Sequence, residues 1–181
     1  MRSGVLVLFT AAVLAAAAAH AQWGSWDAEF DENKKTWKEI KAKLPAYPKD
    51  GGLIAFDAGG ASPHRFFLDV PSLSIGDDGV VRYTLVVKAA GGATNVTFEG
   101  MRCETREQKT YALGQASGAW TQSRNPQWRR IEYRELNRHH GTLFADYLCS
   151  GAGSTSTKTP VASVEEVVQR LKYGPPAGSS P

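Results

Sequence analysis

Cysteine is nearly absent from these 181 residues, with two in all, Cys103 and Cys149. So few exclude a multi-disulfide scaffold or a cysteine-built zinc module. Histidine is scarce as well, at His20, His64, His139 and His140. No H-E-x-x-H or C-x-x-C motif occurs, and the neighbours His139 and His140 point to different sides of any regular element, so no metal is expected. There is no G-x-S-x-G elbow, and Gly151-Ala152-Gly153 lacks the third glycine and the βαβ setting of a dinucleotide fingerprint. No catalytic or cofactor-binding residue is therefore assigned, and no cofactor is expected. The formal net charge is only +3, too small an imbalance for a strong nucleic-acid binder. After the first twenty residues no long apolar run follows, so no transmembrane segment is expected beyond the N-terminus.

What is present begins with that terminus. Met1-Arg2, the run VLVLFTAAVLAAAAA and Ala19-His20-Ala21 have the form of a signal peptide with an A-x-A cleavage site. Residues 1–21 are expected to be removed, leaving an exported, periplasmic and soluble chain from Gln22 with formal charge +2. No cysteine occupies the position after the cleavage site, so a lipid anchor is not expected. The remaining length suits one domain, over 22–149, with a core of its own.

Residues 22–33, QWGSWDAEFDEN, read as a leader that docks through Trp23, Trp26 or Phe30. Trp37, Ile40 and Leu44 are spaced for one helical face, although Ile40, Ala42 and Leu44 also alternate as in a strand; a short helix ending before Pro45 is the favoured reading. RFFLDV is a strand stopped by Pro71. VVRYTLVVK follows a Gly76–Gly79 turn, with Val81, Tyr83, Leu85 and Val87 on a buried face and Arg82, Thr84 and Lys88 on a solvated one. Gly91-Gly92 turns the chain into TNVTFEGMRC, with Val96 and Phe98 inward, and KTYALGQ and AWTQ make a further hairpin. The sequence therefore predicts an α+β fold, a single domain with an antiparallel meander of four to five strands, a docked N-terminal segment and C-terminal helices. Leu136, His140, Leu143 and Tyr147 favour a helix despite Gly141. Residues 150–162 read as a flexible linker and 163–173 as an amphipathic helix. Its capping box runs from Ser163 to Glu166, its apolar stripe is Val164, Val167, Val168 and Leu171, and Arg170 and Lys172 face the C-terminal dipole. The tail 174–181 should fray.

Two constellations carry functional content. In an oxidising compartment Cys103 and Cys149 read as a disulfide rather than a nucleophile paired with His139 or His140, or a metal ligand. Arg124, Trp128, Arg129, Arg130, Arg134 and Arg138 form a candidate patch for an anionic ligand, since guanidinium groups grip phosphate and carboxylate in bidentate fashion. The bland counterpart is a solvated face with local ion pairs. Asn95-Val96-Thr97 is a glycosylation sequon in form only.

The segments WKEIKAKLPAYPKD, RFFLDVPSLSIGDDGVVRYTLVV, NVTFEGMRCETRE, KTYALG and DYLC together resemble the cryptic neisserial protein-like family of exported proteobacterial proteins. The resemblance runs from about Phe30 to Cys149 and leaves the valine-rich helix outside it. It implies a periplasmic or envelope-associated domain with no established activity or cofactor, and cysteines where Cys103 and Cys149 stand. The expected function is non-catalytic binding or scaffolding in the cell envelope, with an envelope protein or an anionic envelope component as partner. The alternative is a periplasmic hydrolase whose acid and base meet only in the fold. A sizeable pocket holding His64 or His139 beside a perturbed carboxylate would mark the enzyme, and a shallow basic or apolar patch without one would mark the binder.

Overall fold

Alternation of apolar and polar side chains from residue 53 onward builds an antiparallel sheet. The computed structural model describes residues 36–132, 138–151 and 157–175. Along the chain come β1 (Leu53–Phe56), β2 (Arg65–Ile75), β3 (Val80–Lys88), β4 (Thr94–Arg102), β5 (Glu107–Gly114) and β6 (Trp120–Gln122), each hydrogen-bonded to the next. A short β7 (Arg129–Arg130) adds to β5. The α+β meander is thus as expected, with six strands on its path rather than four or five. Leu53-Ile54-Ala55-Phe56, too short to show alternation, is the extra strand.

Pro71 does not end its strand. β2 continues to Ile75 through a register shift between Asp69 and Ser74, a bulge in which a residue without an N–H breaks no ladder bond.

Both faces of the sheet are covered. Phe66, Leu68, Val81, Tyr83, Leu85, Met101 and Cys103 pack against a helical layer. That layer consists of α1 (Arg138–Thr142), a π-helical turn (Leu143–Leu148) and α2 (Val164–Tyr173). Phe67, Val86 and Val96 face the other way, with Tyr47, Leu53 and Trp120 packed on them. Val96 and Phe98 therefore do not share the face of Tyr83. Arg82 and Thr84, expected in solvent, are buried instead.

The cover on that second face is residues 37–47, which form no helix. Trp37 and Glu39 point inward, while Ile40 and Leu44 stay 48% and 44% exposed. The strap is held by individual bonds rather than an apolar stripe. Ile40 N donates to Asp78 Oδ2 at 2.8 Å, and Arg82 donates to Ile40 O at 2.8 Å and to Asp78 Oδ2 at 2.6 Å. Trp37 Nε1 donates to Asp78 O, and its ring lies 3.7 Å beneath the Arg102 guanidinium. Glu39 accepts from Lys109, Tyr111 and Trp128. Burial works to raise the Glu39 carboxyl, but these donors hold it below its ordinary value. The leader residues Trp23, Trp26 and Phe30 lie outside the described residues.

Gly100 sets the seat for this strap. A Cβ there would come within 2.5–3.0 Å of the Tyr111 ring and hydroxyl. Gly100→Ala is expected to displace Tyr111 from Glu39 and cost about 1–3 kcal/mol, read as a lower urea midpoint with unchanged slope. A midpoint matching the wild type would show that the ring has room to shift.

At the other end, Cys149–Ser150 (β8) pairs with Thr159–Pro160 (β9), and Val161 is buried. These bracket residues 152–156 of the segment read as a linker, which lie outside the described residues. α2 begins with Ser163 Oγ accepting from Glu166 N, and buries Val167 and Leu171. Arg170 stands in the last turn of α2 as expected, with its guanidinium turned inward. It is buried and donates to Asp146 O, Cys149 O, Ser150 Oγ and Glu166 Oε1.

Candidate functional site

The cysteines settle first. Cys103 and Cys149 form a disulfide with Cα atoms 5.6 Å apart, and both are 1% exposed. It pins the end of β4 to the end of the π-helical turn, and neither sulfur is a nucleophile or a ligand.

The basic residues read as one patch are placed differently. Trp128 is half-buried, its indole donating to Glu39 and its ring edge-on to Trp37 and Tyr111, so it is part of the strap seat. Arg124, Arg129 and Arg130 are exposed, the last two on β7. Arg134 lies outside the described residues. Arg138, at the start of α1, faces a different place.

That place is a cleft of about 580 Å³ between the β1–β2 loop, the sheet and α1, within the size range of small-molecule sites. Gly59, Gly60, Ser62, His64, Phe66, Val87, Asn95, Arg138 and His139 are among its walls. The loop turns on two positive-φ glycines, Gly59 and Gly60. Asp57 Oδ1 accepts from Gly59 N, and Thr142 Oγ1 donates to Ala58 O, which ties the loop to α1. The Arg138 guanidinium lies against Gly60, where a Cβ would sit 3.0 Å from Nη1. Small residues therefore leave space for both the guanidinium and a ligand.

Behind the cleft lies a buried polar cluster. His139 stacks on Phe66 with ring centroids 5.1 Å apart and touches the His140 ring at 4.2 Å. His140 Nε2 is 2.8 Å from Glu99 Oε2, the oxygen that also accepts from Tyr83, while Thr97 donates to Oε1. Burial opposes charge on both members of the pair. Glu99 is nevertheless held below its ordinary carboxyl value by the His140 charge and its hydrogen bonds, and His140 is raised by Glu99. His139 has no such partner: burial first, then the His140 charge, bring it from 6.5 to about 4. The cleft thus presents a neutral imidazole backed by a fixed ion pair.

This arrangement predicts a pH dependence with a definite sign. Between about 6.5 and about 4 the unfolded chain protonates residue 139 and the folded chain does not, so stability falls as pH falls, by an amount on the order of 3 kcal/mol. Glu99 adds stability that is lost only as pH drops through its lowered folded value. His140 adds stability present below about 6.5 and lost as pH rises through its raised one. Tm should therefore be highest near neutrality and decline from pH 6.5 to 5, and His139→Phe should flatten that decline. A flat wild-type profile over that interval would contradict the assignment.

The His139 and His140 rings, read from the sequence as pointing to different sides, lie against each other instead, and among the described residues no cluster of three metal-ligating side chains occurs. Glu99, the group that organises the cluster, escaped sequence reading because its partner lies 41 positions away. The alternation through Val81, Tyr83, Leu85 and Val87 places Glu99 opposite Tyr83 once the hairpin register is known. That register is the signal that was available.

The model of the CNP1-like family matches residues 32–172. The match takes in most of α2, so the valine-rich helix belongs to the shared region rather than lying beyond it. No curated protein and no solved structure matches the chain.

Proposed function

This chain belongs to the CNP1-like family, and from that premise we propose that it is a non-catalytic binding protein of the cell envelope that takes an anionic group into the cleft beside Arg138. The observation that carries this reading is the lining itself. A guanidinium, two imidazoles, the Asn95 amide and the Gly59–Gly60 backbone converge there, with no carboxylate among the described lining residues. Such a set suits phosphate or carboxylate, since charge-assisted bonds from arginine dominate the affinity. The binding role expected of the basic residues thus moves to Arg138 and away from Trp128. An oxidising compartment accords with the disulfide, and no helix among the described residues is long and apolar enough to cross a membrane. Export to the periplasm is part of the proposal and rests on the N-terminal pattern.

A hydrolase draws on one observation, the Glu99–His140–His139 succession reaching the cleft. That carboxylate is buried and engaged by Tyr83 and Thr97, and Ser62 Oγ accepts from His64 N rather than meeting a base. Among the described residues neither an acid–base pair nor an activated nucleophile lines the cleft, which favours binding.

Titration with inorganic phosphate and with acetate at low salt, followed by NMR, tests the reading. Shifts are expected at Gly59, Gly60, His64 and Asn95, and Arg138→Gln should weaken binding about tenfold or more with Tm preserved. Absence of shifts, or equal affinity in the variant, would remove the proposal.

A further inference from the structure

On the opposite face of the sheet lies a second cavity, of about 450 Å³, lined by Pro45, Ala46, Tyr47, Lys49, Gly51, Gly52, Asp69, Pro71 and Ser72. It lies where the strap, the 3₁₀ turn Asp50–Gly52 and the β2 bulge come together. Its notable member is Asp69, 2% exposed. Among the described residues no cation reaches it within ion-pair distance, although every other carboxylate this deeply buried is paired: Glu99 with His140 and Asp78 with Arg82. Ser72 supplies its hydrogen bonds, and burial outweighs them in raising the carboxyl. Its cross-strand partner Thr84 is fully buried, and among the described residues the Thr84 hydroxyl finds no acceptor or donor. A buried carboxylate without a counter-ion and a neighbouring hydroxyl without a partner cost stability unless something else completes them.

The walls indicate what would complete it. Gly52 keeps side-chain bulk off the carboxylate, since a Cβ there would stand 2.8 Å from Asp69 Oδ1 and 3.0 Å from Pro71 Cδ. Pro45, Tyr47 and Pro71 give apolar surface, and Lys49 sets a cation on the rim, where it is exposed. A buried acid, an apolar middle and a basic rim form the complement of a small zwitterion. We propose that this cavity binds a small organic zwitterion, its ammonium group on Asp69, its anionic group toward Lys49 and its apolar body against Tyr47 and Pro71. The site is separate from the Arg138 cleft, which has no acidic residue among its described lining residues. The shared chemistry of an ammonium and an anion within one small molecule fits a free amino acid or an aminoalkyl phosphate headgroup, so both are probes.

The test titrates the full mature chain with L-leucine, with phosphoethanolamine and with 4-methylpentanoate, the deaminated analogue of leucine. Binding is expected for at least one zwitterion and at least tenfold weaker for the deaminated acid. Leucine alone binding indicates an amino-acid site, and phosphoethanolamine alone a headgroup site. Asp69→Asn should lose that binding at unchanged Tm, while Arg138→Gln retains it, which separates failure here from failure of the cleft. Should Asp69→Asn not fold, the wild-type carboxyl titration followed by NMR decides, since an ammonium partner must lower its midpoint at saturation. No binding by either zwitterion, equal binding of leucine and its deaminated analogue, or a carboxyl midpoint unmoved by ligand overturns the proposal.

Discussion

Replacing both Cys103 and Cys149 by alanine is expected to lower the unfolding free energy by about 4 kcal/mol, the chain-entropy value for a bridge of this span. The bridged residues are 46 positions apart and buried, so the loss falls on the unfolded ensemble and on the joint between sheet and helical layer together. For a domain of this size, the melting temperature should drop by roughly 10–20 °C. Reduction of the wild type should reproduce the drop without any substitution. Identical melting of oxidised and reduced protein, or two titratable thiols in the unreduced chain, would overturn the assignment.

Glu99→Leu should be comparably severe, about 3–5 kcal/mol, because it strands a buried cation and removes the acceptor of Tyr83 and Thr97. The informative comparison is the double variant Glu99→Leu/His140→Phe. Two apolar groups in place of the pair remove the uncompensated charge, so the double variant should be more stable than Glu99→Leu alone. Simple addition of the two single losses in urea unfolding would show that the residues act independently, against the 2.8 Å contact.

Much of the sheet was legible because each hairpin announces itself. Gly91-Gly92 and Ala116-Ser117-Gly118 mark turns, with Gly92 and Gly118 at positive φ, and the runs between them alternate. What alternation does not reveal is the fate of the polar half. Arg82 and Thr84 look solvated in isolation, and only the arrival of the strap at Ile40, held together with Asp78 of the preceding turn, makes that face an interior. The helical spacing of Trp37, Ile40 and Leu44 was coincidental. The Ile40 main chain makes the attachment while its side chain is exposed, and such bonds leave no periodic trace. Pro71 misled for a related reason: it ends a regular ladder, but a bulge is not one. The cleft was half legible. His64, His139 and Arg138 had each been singled out, yet their convergence depends on where the glycine loop after β1 lies, and that is a tertiary fact.

The Arg170 guanidinium bears on the order of assembly. The carbonyls of Asp146 and Cys149 close the π-helical turn, and they are satisfied by a side chain from α2 some twenty residues later. The helical layer is therefore closed only once α2 docks, and the backbone that carries Cys149 to Cys103 is fixed by a group from that same helix.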